Sequence, residues 1–376
     1  MGPTLPSQRR AIVKESPGQA VITSVPMPDV PPGYMLVQTQ YVALNPADWT
    51  DIDGDEYIGC VVGLDYAGTV VQVGKQVNRT FEPGDRVAGI SHGCNVLHPD
   101  YGGFSEYILV KADAQMKVPK TMNLEDAASM GVGVITASMG LYQQIGLPLS
   151  SLENVSNNDS EWILIYGGSS ATGSLAIQFA KLSGLKVVTT CSPRNFDLVR
   201  DMGADIWFDY RDPNISSLIA SATSNTLIYA LDAIATDETA AICVASFMNP
   251  AVARSTVPPK AIYACTLDPS LPLSTSTPVE KKFFLGYTFS GEEFLFEGAR
   301  FPPILEDHQF IIKIMELAEQ LIREGKLKNH PLTLNLDGKG FEGVLKGLDC
   351  LREGKVSGRK LVYSVYEKED RGYEKT

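Results

Sequence analysis

Two textures divide the chain. Up to about residue 128, short apolar or alternating runs are separated by Gly and Pro. The pattern predicts strands at 11–13, 19–24, 34–43, 65–73, 86–89 and 104–110. Between them stand Pro26, Pro28, Pro31-Pro32-Gly33, Pro83-Gly84-Asp85 and Gly102-Gly103, a spacing that suits a β-barrel or sandwich. The first strong helix signal is 123–128, where Asn123 is an N-cap residue and acids fill the first turn. From Trp162 the pattern alternates instead. Strands are predicted at 162–166, 186–190, 206–208, 227–231 and 261–265, with helices from Thr172, through Phe196 to Gly203, and over 215–221 and 237–247. Such alternation gives a parallel sheet covered on both faces. A further strand is expected at 283–289, then helices at 307–324 and 339–353 and a strand at 360–365. Residues 148–160 and 266–279 read as surface loops, and the charged tail 367–376 as disordered.

Everything is organised around EWILIYGGSSATGSLAIQFAKL, residues 161–182. A strand, a glycine turn and a helix N-terminus in that order hold a dinucleotide pyrophosphate, because first-turn amides and the helix dipole point at the phosphates. Gly167 and Gly173 stand at the ends of the fingerprint, but Ser170 takes the place of its middle glycine. Hydroxyls of Ser169, Ser170 and Thr172 are therefore expected to replace some amide contacts.

Charge narrows the partners. The 376 residues carry 32 Lys and Arg against 44 Asp and Glu, a net −12, which argues against nucleic acid or an anionic membrane. Six cysteines without a CxxC pair fit a reducing compartment. With no apolar signal core and no 18-residue apolar run, a cytoplasmic location is expected and a membrane span is not.

Four separated strings, GLDYAGTVVQVG (63–74), FEPGDRVAG (81–89), GGFSEYILV (102–110) and SGRKLVYSV (357–365), resemble the medium-chain dehydrogenase/reductase superfamily in its zinc-free, quinone-reductase-like branch. The resemblance implies an α/β protein: a GroES-like β-barrel catalytic domain over 1–128, a doubly wound Rossmann NADPH-binding domain over 129–296, and a segment, 297–376, completing the first. The active site is expected between the two. Within that branch, CSPRNFDLVRDMGADIWFDYRDP (191–213) and YTFSGEEF (287–294) resemble the trans-acting enoyl reductases of fungal polyketide synthases, of lovastatin type. One departure stands out. The family's Asn-Pro-x-Asp-x-Lys string ends here in Thr50, where the lysine would reach the cofactor.

By this resemblance, cofactor contacts are expected from Ala47, Asp48, Trp49 and Thr50, from Ser169, Ser170, Ala171 and Thr172, and from Ser192, Pro193, Arg194 and Asn195. Tyr210, Leu267, Asp268, Val356 and Ser357 complete the set. The substrate is expected along Val134, Ile135, Thr136, Ala137, Ser138, Met139, Gly140 and Leu141, and along Tyr287, Thr288, Phe289, Ser290 and Gly291.

Metal is not expected. Catalytic zinc needs three protein ligands, and the superfamily's His-Glu position reads Leu64-Asp65 here. His92, Cys94 and His98 in SHGCNVLH read as polar residues of a surface loop. For the nucleotide, NAD binders place an acid about 20 residues beyond the glycines. No acid precedes Asp197, whereas Arg194 can pair with a 2′-phosphate and Ser192 can donate to it. The other reading leaves Arg194 in a solvated first turn. NADPH is the expected cofactor.

Thr136 is the candidate near the nicotinamide; alternatively it is a helix-interior threonine bonded to a preceding carbonyl. No side chain is singled out as proton donor, which leaves solvent. Three functions are compatible with the residues: a trans-acting enoyl reductase working with a polyketide synthase, a stand-alone alkenal or quinone reductase, and an inactive NADPH-binding scaffold. A monomer is expected, because Pro269, Pro272 and Pro278, then Lys281 and Lys282, precede the edge strand placed at 283–289.

Overall fold

The computed structural model describes residues 5–149, 161–247, 260–271 and 278–365. Its N-terminal strands are β1 (Gln8–Ser16), β2 (Gln19–Pro26), β3 (Tyr34–Ala43), β4 (Asp65–Val73), β5 (Arg86–Ile90), β6 (Tyr107–Lys111) and β7 (Met116–Lys117). β1 and β2 form a hairpin, while β3 is the hub, pairing antiparallel with both β4 and β6. Alternation decides which way its side chains face: Met35 and Val37 pack with Tyr66, Val70, Val87 and Ile108, and Leu36 packs on the other face with Leu109. The strand expected at 104–110 starts only at Tyr107. Phe104 is instead spent on bridging, its amide donating to Val62 and its carbonyl accepting from Ile12.

Between β3 and β4 lies α1 (Pro46–Asp53), which no apolar periodicity announces. Its start is set by local chemistry. Pro46 occupies the first turn, where its missing amide costs nothing, and Asp48 Oδ2 accepts the Asn45 amide at 2.6 Å. α2 (Leu124–Ala128) follows Asn123, and α3 (Gly131–Ser138) continues as a π-helical turn over Met139–Gln144.

The second sheet is wholly parallel, in the order β10-β9-β8-β11-β12-β13. Its strands are β8 (Trp162–Tyr166), β9 (Lys186–Cys191), β10 (Ile206–Asp209), β11 (Tyr229–Asp232), β12 (Ala261–Cys265) and β13 (Val279–Phe283), linked in part by α4 (Ala171–Leu182), α5 (Phe196–Asp201), α6 (Ile215–Ala222) and α7 (Asp237–Ala245). The strand order reverses beside β8, so the crevice beyond the carboxyl ends of β8 and β11 is the natural nucleotide position. One expectation is corrected here. The edge strand is Val279–Phe283, not 283–289, so Lys281 and Lys282 lie inside it and Gly286–Ser290 forms a 3-10 turn. Residues 150–160, 272–277 and 367–376, which include much of the two expected loops and the tail, lie outside the described residues.

A small hairpin, β14 (Phe294–Phe296) with β15 (Ala299–Phe301), precedes α8 (Leu305–Arg323), β16 (Leu332–Leu334), α9 (Gly340–Arg352) and β17 (Lys360–Ser364). β17 pairs antiparallel with β3, Val362 opposite Ala43, so the end of the chain joins the N-terminal sheet.

Candidate active site

The glycine turn is built by close approach. Gly167 has φ 78°, and a Cβ on Gly168 would stand 2.1 Å from Thr189 Oγ1. A Cβ on Gly173 would meet Gly167 O at 2.3 Å, so only glycine lets α4 begin this near β8. Ser170 caps α4 by accepting the Gly173 amide at 2.9 Å; its hydroxyl is thus engaged within the helix itself. Ala171 and Thr172 form the first turn and are half-buried. This cradle fits a dinucleotide pyrophosphate, since side chains that would fill it are absent and first-turn amides line it.

Three expected cofactor segments meet beside the cradle. The buried Asn195 side chain donates from Nδ2 to Ser169 Oγ at 3.2 Å and to Ser357 Oγ at 3.1 Å. Ser192 is half-buried, while Pro193 and Arg194 are exposed. The Arg194 guanidinium has no ion pair among the described residues. Tyr210, 43 % exposed, follows β10, with the Arg211 guanidinium 5.7 Å from its ring centroid. Leu267 and Asp268 lie exposed just beyond β12, with Asp268 paired to Lys281. Val356 packs on the cluster containing Leu348 and Phe341. Except for Ser357 and Val356, these residues ring the carboxyl edge of the parallel sheet.

Facing this edge, α3 is wedged between the two sheets. A Cβ on Gly131 would stand 2.2 Å from Gly89 O on β5, and one on Gly133 would stand 2.6 Å from Leu175 Cδ1 on α4. Val134, Ile135, Ala137, Ser138, Met139, Gly140 and Leu141 are all buried, so the structure gives them to the core. Thr136 alone in that stretch is partly accessible. No hydrogen bond of its hydroxyl is found among the described residues; the back-bonding role belongs to Ser138, which donates to Ile135 O.

Under α3 lies a buried polar cluster. Asp65 accepts the Val132 amide at 2.7 Å and lies 2.8 Å from Lys360 Nζ, and Asn45 bonds to both Asp65 and Lys360. Burial holds the neighbouring Asp48 carboxyl well above the usual carboxylate range, and its Oδ1 has no hydrogen-bond partner among the described residues. On the same helix, Ala47 and Trp49 are half-buried, with Arg352 over the Trp49 ring at 6.0 Å. Thr50 turns its hydroxyl back to Ala47 O at 3.1 Å. The short side chain therefore completes helix geometry where the family lysine would extend outward.

Thr288, Phe289, Ser290 and Gly291 are buried, and Gly291 closes the 3-10 turn at φ 66°. Tyr287 is half-buried. Its ring stacks on His92 at 4.6 Å and 13°, and its hydroxyl donates to Asp51 Oδ2 at 3.4 Å. This corrects the surface-loop expectation for 92–98: His92 and Cys94 are buried, and His98 stacks on Tyr101 at 4.5 Å. Burial lowers the His92 pKa to about 3, so the imidazole is neutral. Among the described residues no three His, Cys, Asp or Glu side chains converge as a metal site requires. No motif or spacing in the chain points to Asp51. Its carboxyl is shielded within α1 and Tyr287, and that burial raises its pKa to about 7, against the lowering effects of the Tyr287 hydrogen bond and Lys14.

Residues 31–120 match the alcohol dehydrogenase GroES-like domain. Over 372 residues the chain is 40 % identical to the trans-enoyl reductase caaB of Aspergillus niger, covering 96 % of this chain and 99 % of that protein. It is 38 % identical over 370 residues to the trans-enoyl reductase resD of Aspergillus sclerotiorum, covering 95 % of this chain and 100 % of that protein. The chain belongs to the trans-enoyl reductases. It is an oxidoreductase of the medium-chain dehydrogenase/reductase superfamily, whose fold implies a nicotinamide cofactor. Among solved structures, the CurK enoyl reductase superposes with a TM-score of 0.70 at 17 % identity, over 95 % of this chain and 99 % of that one. No helix of this trans-enoyl reductase is long and apolar enough to cross a membrane, among the described residues.

Proposed function

We propose that this trans-enoyl reductase uses NADPH to reduce the α,β-double bond of an enoyl thioester carried by a polyketide synthase. The observation that carries this reading is the full-length likeness to proteins of that name, joined to a nucleotide edge with no acid where NAD binders have one. Reduced nicotinamide supplies a hydride for the β-carbon. The chain's own residues do the rest. The first turn of α4, with Ser169, holds the pyrophosphate. Ser192 and Arg194, which has no ion pair among the described residues, receive the 2′-phosphate, and Tyr210 borders the adenosine end. Asn195 braces Ser169 against Ser357, which fixes the C-terminal segment to the cradle. Thr136, whose hydroxyl has no partner among the described residues, donates to the reacting assembly beside the nicotinamide in this reading. Thr50 makes no such reach.

Delivery on a carrier raises the effective concentration of the acyl group, so intrinsic affinity for it can remain weak. The test is NADPH oxidation with an enoyl group on a pantetheine-loaded carrier domain, beside the same enoyl group as a free ketone. Faster turnover of the tethered group is expected. Turnover of the free ketone alone would make the protein a stand-alone alkenal or quinone reductase. NADPH binding without turnover of either would make it a scaffold.

A further inference from the structure

Adding hydride to the β-carbon of an enoyl thioester leaves an enolate, and its α-carbon must take a proton. None of the roles given above to Thr136, Ser169, Ser192, Arg194 and Asn195 supplies that proton. Tyr287 and Asp51 are 236 residues apart in the chain, yet their side chains meet at 3.4 Å. Each comes from a segment that borders the site. Asp51 is on α1, next to Thr50. Tyr287 follows Gly286, whose missing Cβ would stand 3.8 Å from Thr136 Oγ1. Tyr287 thus follows a residue that stands beside Thr136 and carries its hydroxyl to α1.

We propose that Tyr287 is the catalytic residue that protonates the α-carbon, with Asp51 as the positioning residue that restores its proton; this rests on the enoyl-reductase reading above. The ring is held for the task. His92 stacks on one side, and Phe294 and Phe296 lie with centroids 5.9 Å away. As hydride reaches the β-carbon, the double-bond electrons move onto the thioester carbonyl. The enolate then forms a C–H bond with the Tyr287 O–H proton, and the phenolate takes the Asp51 carboxyl proton across the 3.4 Å contact. Asp51 is mostly buried but keeps some access to solvent, and it regains its proton from water.

The surroundings set the level at which Asp51 holds that proton. Burial is the main influence, raising it to about 7. Lys14 of β1 opposes this, although its buried ammonium bonds the carbonyls of Asp51 and Gly54 at 2.7 and 2.5 Å rather than the carboxylate. Glu56 acts in the raising direction, and Asp48, Tyr57 and Cys94 stand near enough to share the field. A carboxyl that is half-protonated near neutral pH suits a proton reservoir. When protonated, it donates to the phenol oxygen and frees the phenol hydrogen to point elsewhere.

The experiment reduces crotonyl N-acetylcysteamine thioester with NADPH in deuterium oxide and reads the configuration of the α-deuterium by NMR. The unsubstituted protein is expected to place deuterium on one face. Tyr287→Phe keeps the ring stacked on His92, so the fold is retained. Turnover should then fall about a hundredfold, with deuterium on both faces as solvent takes over. Asp51→Asn should keep the facial selectivity but lose the pH-dependent limb of kcat near 7. Independently of turnover, carboxyl-carbon NMR on aspartate-labelled protein should show one resonance titrating near 7, absent in Asp51→Asn and moved in Tyr287→Phe. Unchanged facial selectivity in Tyr287→Phe, or no carboxyl titrating near 7, overturns the proton step alone. No turnover by the unsubstituted protein removes the reductase reading and this step together.

Discussion

The Val132 amide donates to Asp65 Oδ1 at 2.7 Å, which ties the first turn of α3 to β4 and so fixes where Thr136 stands. Asp65 is fully buried, and its other oxygen is 2.8 Å from the 5 % exposed Lys360 ammonium. Removing one member of such a pair leaves a charge without compensation, at a cost of about 3–5 kcal/mol. Asp65→Ala is therefore expected to lower the urea midpoint sharply. Asp65→Leu combined with Lys360→Met should recover part of the loss, because both charges leave together. A double variant less stable than Asp65→Ala would show that the pair is not the source of the cost.

Arg194 is exposed and without an ion pair among the described residues, so nothing competes for its guanidinium when a nucleotide arrives. Arg194→Ala should weaken NADPH about tenfold to a hundredfold and leave NADH nearly unchanged. Titration calorimetry with both nucleotides decides this. Equal losses for the two would make Arg194 a structural residue of the turn.

Local signals were legible and long-range ones were not. Tyr34–Ala43 and Asp65–Val73 have the bounds that the pattern predicts, because most of their residues are buried in the sheet, on both faces in the first half of each strand. α1 escaped the hydrophobic pattern, being mostly polar. Its cap chemistry was present all the same in Asn45, Pro46 and Asp48, which apolar periodicity does not weigh. β13 was displaced toward the apolar 283–289, because Glu280, Lys281 and Lys282 make a strand that looks too charged for a sheet. The edge position tolerates them. The burial of His92 and the place of Asp51 escaped for a different reason: their environment is made by Tyr287, far along the chain, and no spacing rule reaches that distance.

His330 is 1 % exposed and bonds Ser174 Oγ at 2.9 Å. Burial, helped by Lys360 and Arg359, lowers its pKa from 6.5 to about 4. The unfolded chain therefore takes up a proton first as pH falls. Stability from this site is full above about 6.5, declines toward about 4 and then levels off, a total on the order of 3 kcal/mol. His92 acts in the same direction, whereas Asp51, with its raised pKa, gains stability as pH drops below about 7. Urea unfolding at several values between pH 5 and 6 isolates the site by difference. His330→Gln should reduce the pH slope by about one proton relative to the unsubstituted protein. An unchanged slope would mean that His330 titrates alike in both states.

Assembly turns on β13, which pairs with β12 on one side and has no partner strand on the other among the described residues. Joining two copies of this edge across a twofold axis centred on the strand sets Lys281 against its own copy, and like charges directly opposite are destabilising. Glu280 and Lys282 would meet each other's copies favourably. Those two are already engaged, however: Glu280 with Lys282 and with Lys260 at 3.1 Å within the same chain. Exchanging one exposed pair for another yields little. Lys281 is also drawn to Asp268 and to Pro269 O at 3.0 Å, which pins the chain after β12 beside the edge. Pro278, just before the strand, contributes no amide to an added ladder. The edge is short, charged and locally occupied, and a monomer is expected. Light scattering at micromolar concentration should give a mass near 40.8 kDa. A mass near twice that value, unchanged on dilution, would show that two copies pair despite Lys281. Lys281→Thr would then be expected to tighten the dimer only if the twofold axis is centred on that residue, because the like-charge contact is lost.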